Sequence, residues 1–132
     1  MEAEKNIELL KRNMEPSLQD GQYVFATLVK PEDFIMSKGV AMIQEEEGIT
    51  LVLPKMVADH HDIAYDFIAS WITLKVHSSL ESVGLTALFS TALANHDISC
   101  NVIAGYFHDH LFVRYDERDQ AMKVLNEIAK AG

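Results

Sequence analysis

Two histidine-rich triplets, His60-His61-Asp62 and His108-Asp109-His110, and one serine turn ending on a glycine, Ser78 to Gly84, hold the residue types here that could do chemistry. On a strand, His108 and His110 share one face and Asp109 takes the other, so that triplet does not supply three ligands to one ion. His60 and His61, adjacent on a helix, diverge by about 100°. HExxH, CxxC, GxGxxG and GxSxG are all missing. A Ser79 or Ser82 nucleophile would need a base brought to it by tertiary structure. We therefore expect no metal, no cofactor and no catalytic residue. The lone Cys100 lies inside a strand-like run and reads as a reduced core thiol. The serine turn offers binding chemistry instead. A helix starting near Val83 presents unpaired N–H groups and a positive dipole end, and Gly84 lets a carboxylate approach the main chain without a Cβ in the way. Ser78, Ser79 and Ser82 add hydroxyl donors. Ser82 serves equally as an N-cap, and Gly84 could simply permit close helix packing. The Asp109 carboxylate can receive an ammonium or guanidinium group.

The elements that must position these residues follow from periodicity. Ile68, Ile72, Leu74 and Val76 alternate with Trp71, Thr73, Lys75 and His77, which predicts a strand. Leu85, Leu88, Phe89, Ala92 and Leu93 then recur at helical spacing, and Asn95-His96-Asp97 marks the helix end. Two strands follow, Ile98 to Ala104 and Leu111 to Val113, joined by the Tyr-Phe-His-Asp-His corner. A last helix is capped by Asp116 and buries Ala121, Met122, Leu125, Ile128 and Ala129. Upstream, Ile7, Leu10 and Met14 form one stripe of an N-terminal helix over residues 4–14, ended near Pro16. A strand spans Gly21 to Val29. A short helical turn runs from Pro31 to Met36. Val40 to Gln44 and Ile49 to Leu53 flank Glu45-Glu46-Glu47-Gly48 as a hairpin whose glycine can take a positive φ. Pro54 opens two turns of helix to His61.

From Gly21 the order is β, short α, β, β, short α, β. From Trp71 it is βαββα, one strand short of the same ferredoxin-like unit. The two halves, 1–66 and 67–132, read as diverged copies that share or exchange strands. The fold expected is α+β, two interleaved βαββαβ halves with antiparallel sheets and helices on one face. The strand Gly21 to Val29 is expected to complete the sheet under the last helix.

Composition narrows the partners. A 132-residue chain with 48% hydrophobic residues supports a core. A net charge of −9 repels phosphate backbones and anionic lipid, which argues against nucleic-acid and membrane partners. No run reaches 18 apolar residues, and MEAEKNIELL is not a basic, apolar leader, so a cytoplasmic protein is expected.

The run Leu80 to Val113 resembles an ACT domain. The features that carry this are the Ser-Val-Gly-Leu helix start, the Ile-Ser-Cys-Asn-Val-Ile strand after LANHD, and the Phe-His-Asp-His-Leu-Phe-Val hairpin. The whole chain is similar to small bacterial stand-alone proteins that join a divergent ACT-like half to a second one, and it is related to the ACT domains of cytosolic arginine sensors and aspartokinase regulatory regions. That resemblance implies a non-catalytic regulatory or sensor protein that binds an amino acid and self-associates as a dimer or tetramer. The ligand site it implies comprises Ser78, Ser79, Ser82, Val83, Gly84, Leu85, Asn101, Ile103 and Asp109. Two alternatives stay open: a structural oligomerisation module whose site has decayed, and a small enzyme using the His108-Asp109-His110 corner.

Overall fold

The computed structural model describes residues 14–76 and 85–131. They form two compact units, one of residues 20–70 and one of residues 14–19 with 71–131.

In the first unit, β2 (Tyr23–Leu28) pairs antiparallel with β4 (Ile49–Pro54), and β4 pairs with β3 (Ala41–Gln44). On its other side β2 meets the start of β5 (Ile68–Val76) through Tyr23↔Ala69 and Val24↔Ile68. The order is therefore β3-β4-β2-β5. Alternation sends Val24, Ala26, Leu51 and Leu53 to one face, where Ile35 of α1 (Asp33–Ser37) and Ala58 of α2 (Lys55–His60) cover them. The β3–β4 hairpin closes with reciprocal bonds between Glu45 and Gly48. Among the described glycines only Gly21 has a positive φ, so Gly48 is not there for left-handed geometry. A Cβ at position 48 would lie 3.0 Å from Thr27 Oγ1 and 3.1 Å from the Leu28 carbonyl oxygen, and close approach to β2 is what requires the glycine.

The second unit repeats the plan. After β5 come α3 (Leu85–Asn95), β6 (Asn101–Ala104), β7 (Asp109–Arg114), a 3₁₀ turn over Tyr115–Glu117 and α4 (Arg118–Ala131). β5 neighbours β7, β7 pairs antiparallel with β6, and β1 (Met14–Leu18) pairs antiparallel with β5 from Met14↔Val76 to Leu18↔Ile72. The orders β3-β4-β2-β5 and β6-β7-β5-β1 use the same plan, except that β1, the first strand of its unit in the chain, stands where the other unit has its last. The strand β5 is the last of the first unit, and in the second it follows β1 in the chain.

Two expectations are corrected here. The strand that completes the sheet carrying the last helix is Met14–Leu18, whereas Tyr23–Leu28 belongs to the other unit. The proposed helix over 4–14 falls mostly outside the described residues, and Met14 and Pro16 are strand residues. Met14 is buried with Ile72 and Leu74 beneath the helices. Pro16 is tolerated because β1 pairs on one side only among the described residues, where a missing N–H can face away from the ladder.

Helices α2 and α3 end alike. Asp62 and Asp97 take φ of 55° and 58°. The next N–H groups reach back five residues, from Ile63 to the Ala58 carbonyl and from Ile98 to the Leu93 carbonyl, at 2.8 and 3.0 Å. This is a Schellman end with aspartate in the place usually held by glycine. It is why the strand expected from Ile98 begins only at Asn101: Ile98 is spent on plugging the helix end into the core.

Candidate functional site

The expected ligand turn connects β5 to α3, and Ser78, Ser79, Ser82, Val83 and Gly84 lie outside the described residues. Leu85 is the first described residue of α3, and its side chain is fully buried in the core, which leaves only its backbone for a ligand.

The remaining site residues sit on β6 and β7, and the register sorts them by face. Leu111 and Val113 point into the helix-covered core, so Asp109 lies on that side, paired with Ala104 next to the turn of the hairpin. Asn101 and Ile103 pair with Phe112 and His110 and lie on the opposite face. The structure therefore brings Asp109 to the edge of the helix layer and separates it from Asn101 and Ile103, which share a face with His110.

His110 has a defined environment that no local pattern announces. The Trp71 indole N–H donates to His110 Nδ1 at 3.0 Å. The Thr73 hydroxyl lies 3.4 Å from the same nitrogen and itself accepts from Gln19 Nε2 at 3.0 Å. An indole N–H only donates, so Nδ1 is the acceptor and the proton of the neutral ring sits on Nε2. Burial and the neighbouring His108 push the His110 pKa below that of an ordinary imidazole, against an opposing effect of Asp109. Trp71 also stacks on Phe112, with ring centroids 6.4 Å apart. The signal available in the sequence was the alternation that placed Trp71 and Thr73 on one face of β5. The partner 39 residues away was not legible from it.

The hairpin corner is shaped by contact. The Gly105 N–H bonds the His108 carbonyl at 2.8 Å, and a Cβ at Gly105 would lie 2.8 Å from that oxygen and 3.0 Å from His110 Nε2. Tyr106 and Phe107 project outward at 95% and 79% exposure. The Nδ1 of His108 is buried with no hydrogen-bond partner. Among the described residues no three His, Cys, Asp or Glu side chains converge on a point where an ion could sit. Cys100 packs against the helix-side core, and burial pushes its thiol up to about 11, so it is a protonated, weakly nucleophilic group at neutral pH. No described helix is long and apolar enough to cross a membrane.

Comparison with known proteins places this geometry. An ACT domain family model matches residues 2–70, and a second ACT domain model matches residues 67–127. A Vibrio cholerae protein of unknown function, described as a possible transport protein, is 46% identical; the match covers 95% of this chain and 97% of that one, with a TM-score of 0.86. An Agrobacterium tumefaciens protein shares the fold at 17% identity over 89% of this chain and 90% of its own, with a TM-score of 0.69. The regulatory subunit of aspartate kinase from Thermus thermophilus, in a ligand-free form, matches at 9% identity over 86% and 95% of the two chains, with a TM-score of 0.62. No curated protein matches the sequence.

Proposed function

The chain belongs to the ACT domain family, and from that premise we propose that it is a non-catalytic regulatory or sensor protein that binds an amino acid and acts through self-association in the cytoplasm. In this reading 1–66 and 67–132 are two diverged ACT-like halves, and the ligand is held in the second. Its carboxylate meets the backbone at the start of α3, around Ser82, Val83 and Gly84, with Ser78 and Ser79 adding hydroxyls. Its cationic group meets Asp109. The observation that carries the reading is the presence of two ACT domains, the second containing an 11-residue helix that is the next described element after β5. A helix of that length has the unpaired N–H groups and dipole that attract a carboxylate. The fold shared with an aspartate kinase regulatory subunit supports the regulatory class. A ligand that bridges the α3 turn and Asp109 of the same or a neighbouring chain favours one association geometry over another, and that difference in affinity is what regulation requires.

The test is a thermal-shift screen against the common amino acids, followed by calorimetry and light scattering on whichever one raises the melting temperature. A charge-assisted hydrogen bond is worth about 1.5 to 3 kcal/mol. Asp109→Asn should therefore weaken binding about tenfold to a hundredfold while circular dichroism stays unchanged. Gly84→Val should also bind poorly yet fold. If no amino acid stabilises the protein, or both variants bind like the parent, the second half is an oligomerisation module without this site.

A further inference from the structure

Residues 20–70 contain an open cleft of about 690 Å³. It arises because β5 pairs with β2 only at Ile68 and Ala69, while β2 runs on to Leu28. Beyond Val24 the second edge of β2 faces the segment 61–66 in place of a strand. That segment is anchored elsewhere: Ile63 and Tyr65 pack against the helix-side core, and the Tyr65 hydroxyl donates to Asp59 at 2.7 Å.

The chemistry of the walls is one-sided. Asp62 and Asp66 line the cleft, and among the described residues no Lys or Arg does. The Lys55 ammonium is already held by Asp59 at 2.7 Å, and Lys38 lies over the Phe34 ring. Among the described residues neither Asp62 nor Asp66 is in an ion pair or a side-chain hydrogen bond. Aromatic surface completes the site. Phe25, stacked on Phe67 with centroids 5.8 Å apart, lines it together with Tyr65 and His61. Thr27 and Thr50, paired in register, add hydroxyls, and the Thr50 hydroxyl donates to the Glu45 carboxylate.

We propose that this cleft binds a small organic cation, an amine on a short apolar body that carries no carboxylate of its own. Two unpaired carboxylates attract the ammonium, and the aromatic walls add cation–π attraction and apolar cover. A zwitterion gains less, because its carboxylate meets acidic neighbours and, among the described residues, no lysine or arginine. The site lies wholly within residues 20–70, so it stands or falls independently of an amino-acid site in the other unit.

The probe is 1,5-diaminopentane, with lysine as the same skeleton plus a carboxylate, titrated calorimetrically into the full chain at 0.15 M salt. The expected result is saturable binding of one diamine per chain, about tenfold tighter than lysine. Asp66→Asn and Asp62→Asn should each weaken it about tenfold, the loss expected for one charge-assisted hydrogen bond. Both side chains are exposed, and asparagine tolerates the left-handed φ at position 62, so both variants should fold. Asp119→Asn removes the same charge from α4 and should change affinity less than twofold. Unsaturable binding, equal affinity for lysine, or equal weakening by Asp119→Asn would overturn the proposal, the last by showing only diffuse attraction to a chain of net charge −9.

Discussion

The two units follow one strand order with very different helical cover. In residues 20–70 the helices have five and six residues, and six buried side chains form the described core beneath them. In the other unit they have 11 and 14 residues over a described core of twelve. Helices shorter than three turns have little stability of their own and rest on tertiary packing. The same topology thus yields one well-covered layer and one thin layer, with an open cleft beside the thin one. The difference teaches that one strand order can carry helical cover and buried cores of very different size.

Core truncations should expose that asymmetry most. Phe89→Ala, at a fully buried position of α3, should cost about 3–5 kcal/mol in denaturant unfolding. Ile35→Ala, on five-residue α1, should cost about 2 kcal/mol, at the low end for such a change, because the surroundings can collapse. Native-state hydrogen exchange should show lower protection in 23–60 than in 85–125. Equal costs and equal protection would break the comparison.

A smaller effect concerns the face of β5 and β7 that carries Trp71 and His110. The fold holds His110 below its ordinary pKa, so it binds fewer protons there than the unfolded chain does. Stability should be intact above the ordinary imidazole value near 6.5 and decline as pH falls below it toward the folded-state value. Protonation also puts a second N–H opposite that of Trp71. Melting temperature measured across pH 5–8 should show this slope, and His110→Gln should flatten it. At pH 7.5, Trp71→Phe should cost about 0.5–1.5 kcal/mol for the lost hydrogen bond. An unchanged slope in His110→Gln would assign the titration to another group.

The smallest effect tests a feature the units share. Asp62 and Asp97 hold left-handed conformations that cost a non-glycine residue about 1–2 kcal/mol, part of which glycine returns through greater freedom in the unfolded chain. Asp62→Gly and Asp97→Gly should therefore each raise stability by up to about 1 kcal/mol, visible as parallel shifts in melting temperature. A loss in one and a gain in the other would show that one aspartate side chain is doing more than ending a helix.

Most elements were legible because their periods are clean. β5 alternates from Trp71 to Val76, and α3 repeats its apolar stripe through Leu93. The missed strand has a physical reason. Met14 continues a helical stripe with Ile7 and Leu10, and Pro16 looks like a helix stop, while the residues that make the segment a strand lie far along the chain at Leu74 and Val76. Gly48 was visible as a turn residue, but the atoms that exclude a side chain there belong to β2; the need for glycine at 105, set by the His108-His110 corner, was not read from the sequence. The side on which Asp109 lies followed from alternation. The indole bond to His110 did not, since only folding brings positions 71 and 110 together. The His-Asp-Ile identity at 61–63 and 96–98 is plain in the sequence, yet the shared Schellman geometry shows only in the backbone.

The pairing of Met14–Leu18 with Ile72–Val76 has a consequence for the order of events during synthesis. A chain made from its N-terminus offers β2, β3, β4 and the start of β5 to one another as soon as residue 70 has emerged, and their contacts are local. β1 is made before any of them and must wait for strand residues more than 50 positions later. Closing that loop carries an entropic cost that grows slowly with its length, and folding residues 20–70 first would shorten the effective loop. Of the described strands, the earliest to be translated is thereby the one whose place in the sheet is among the last to become available.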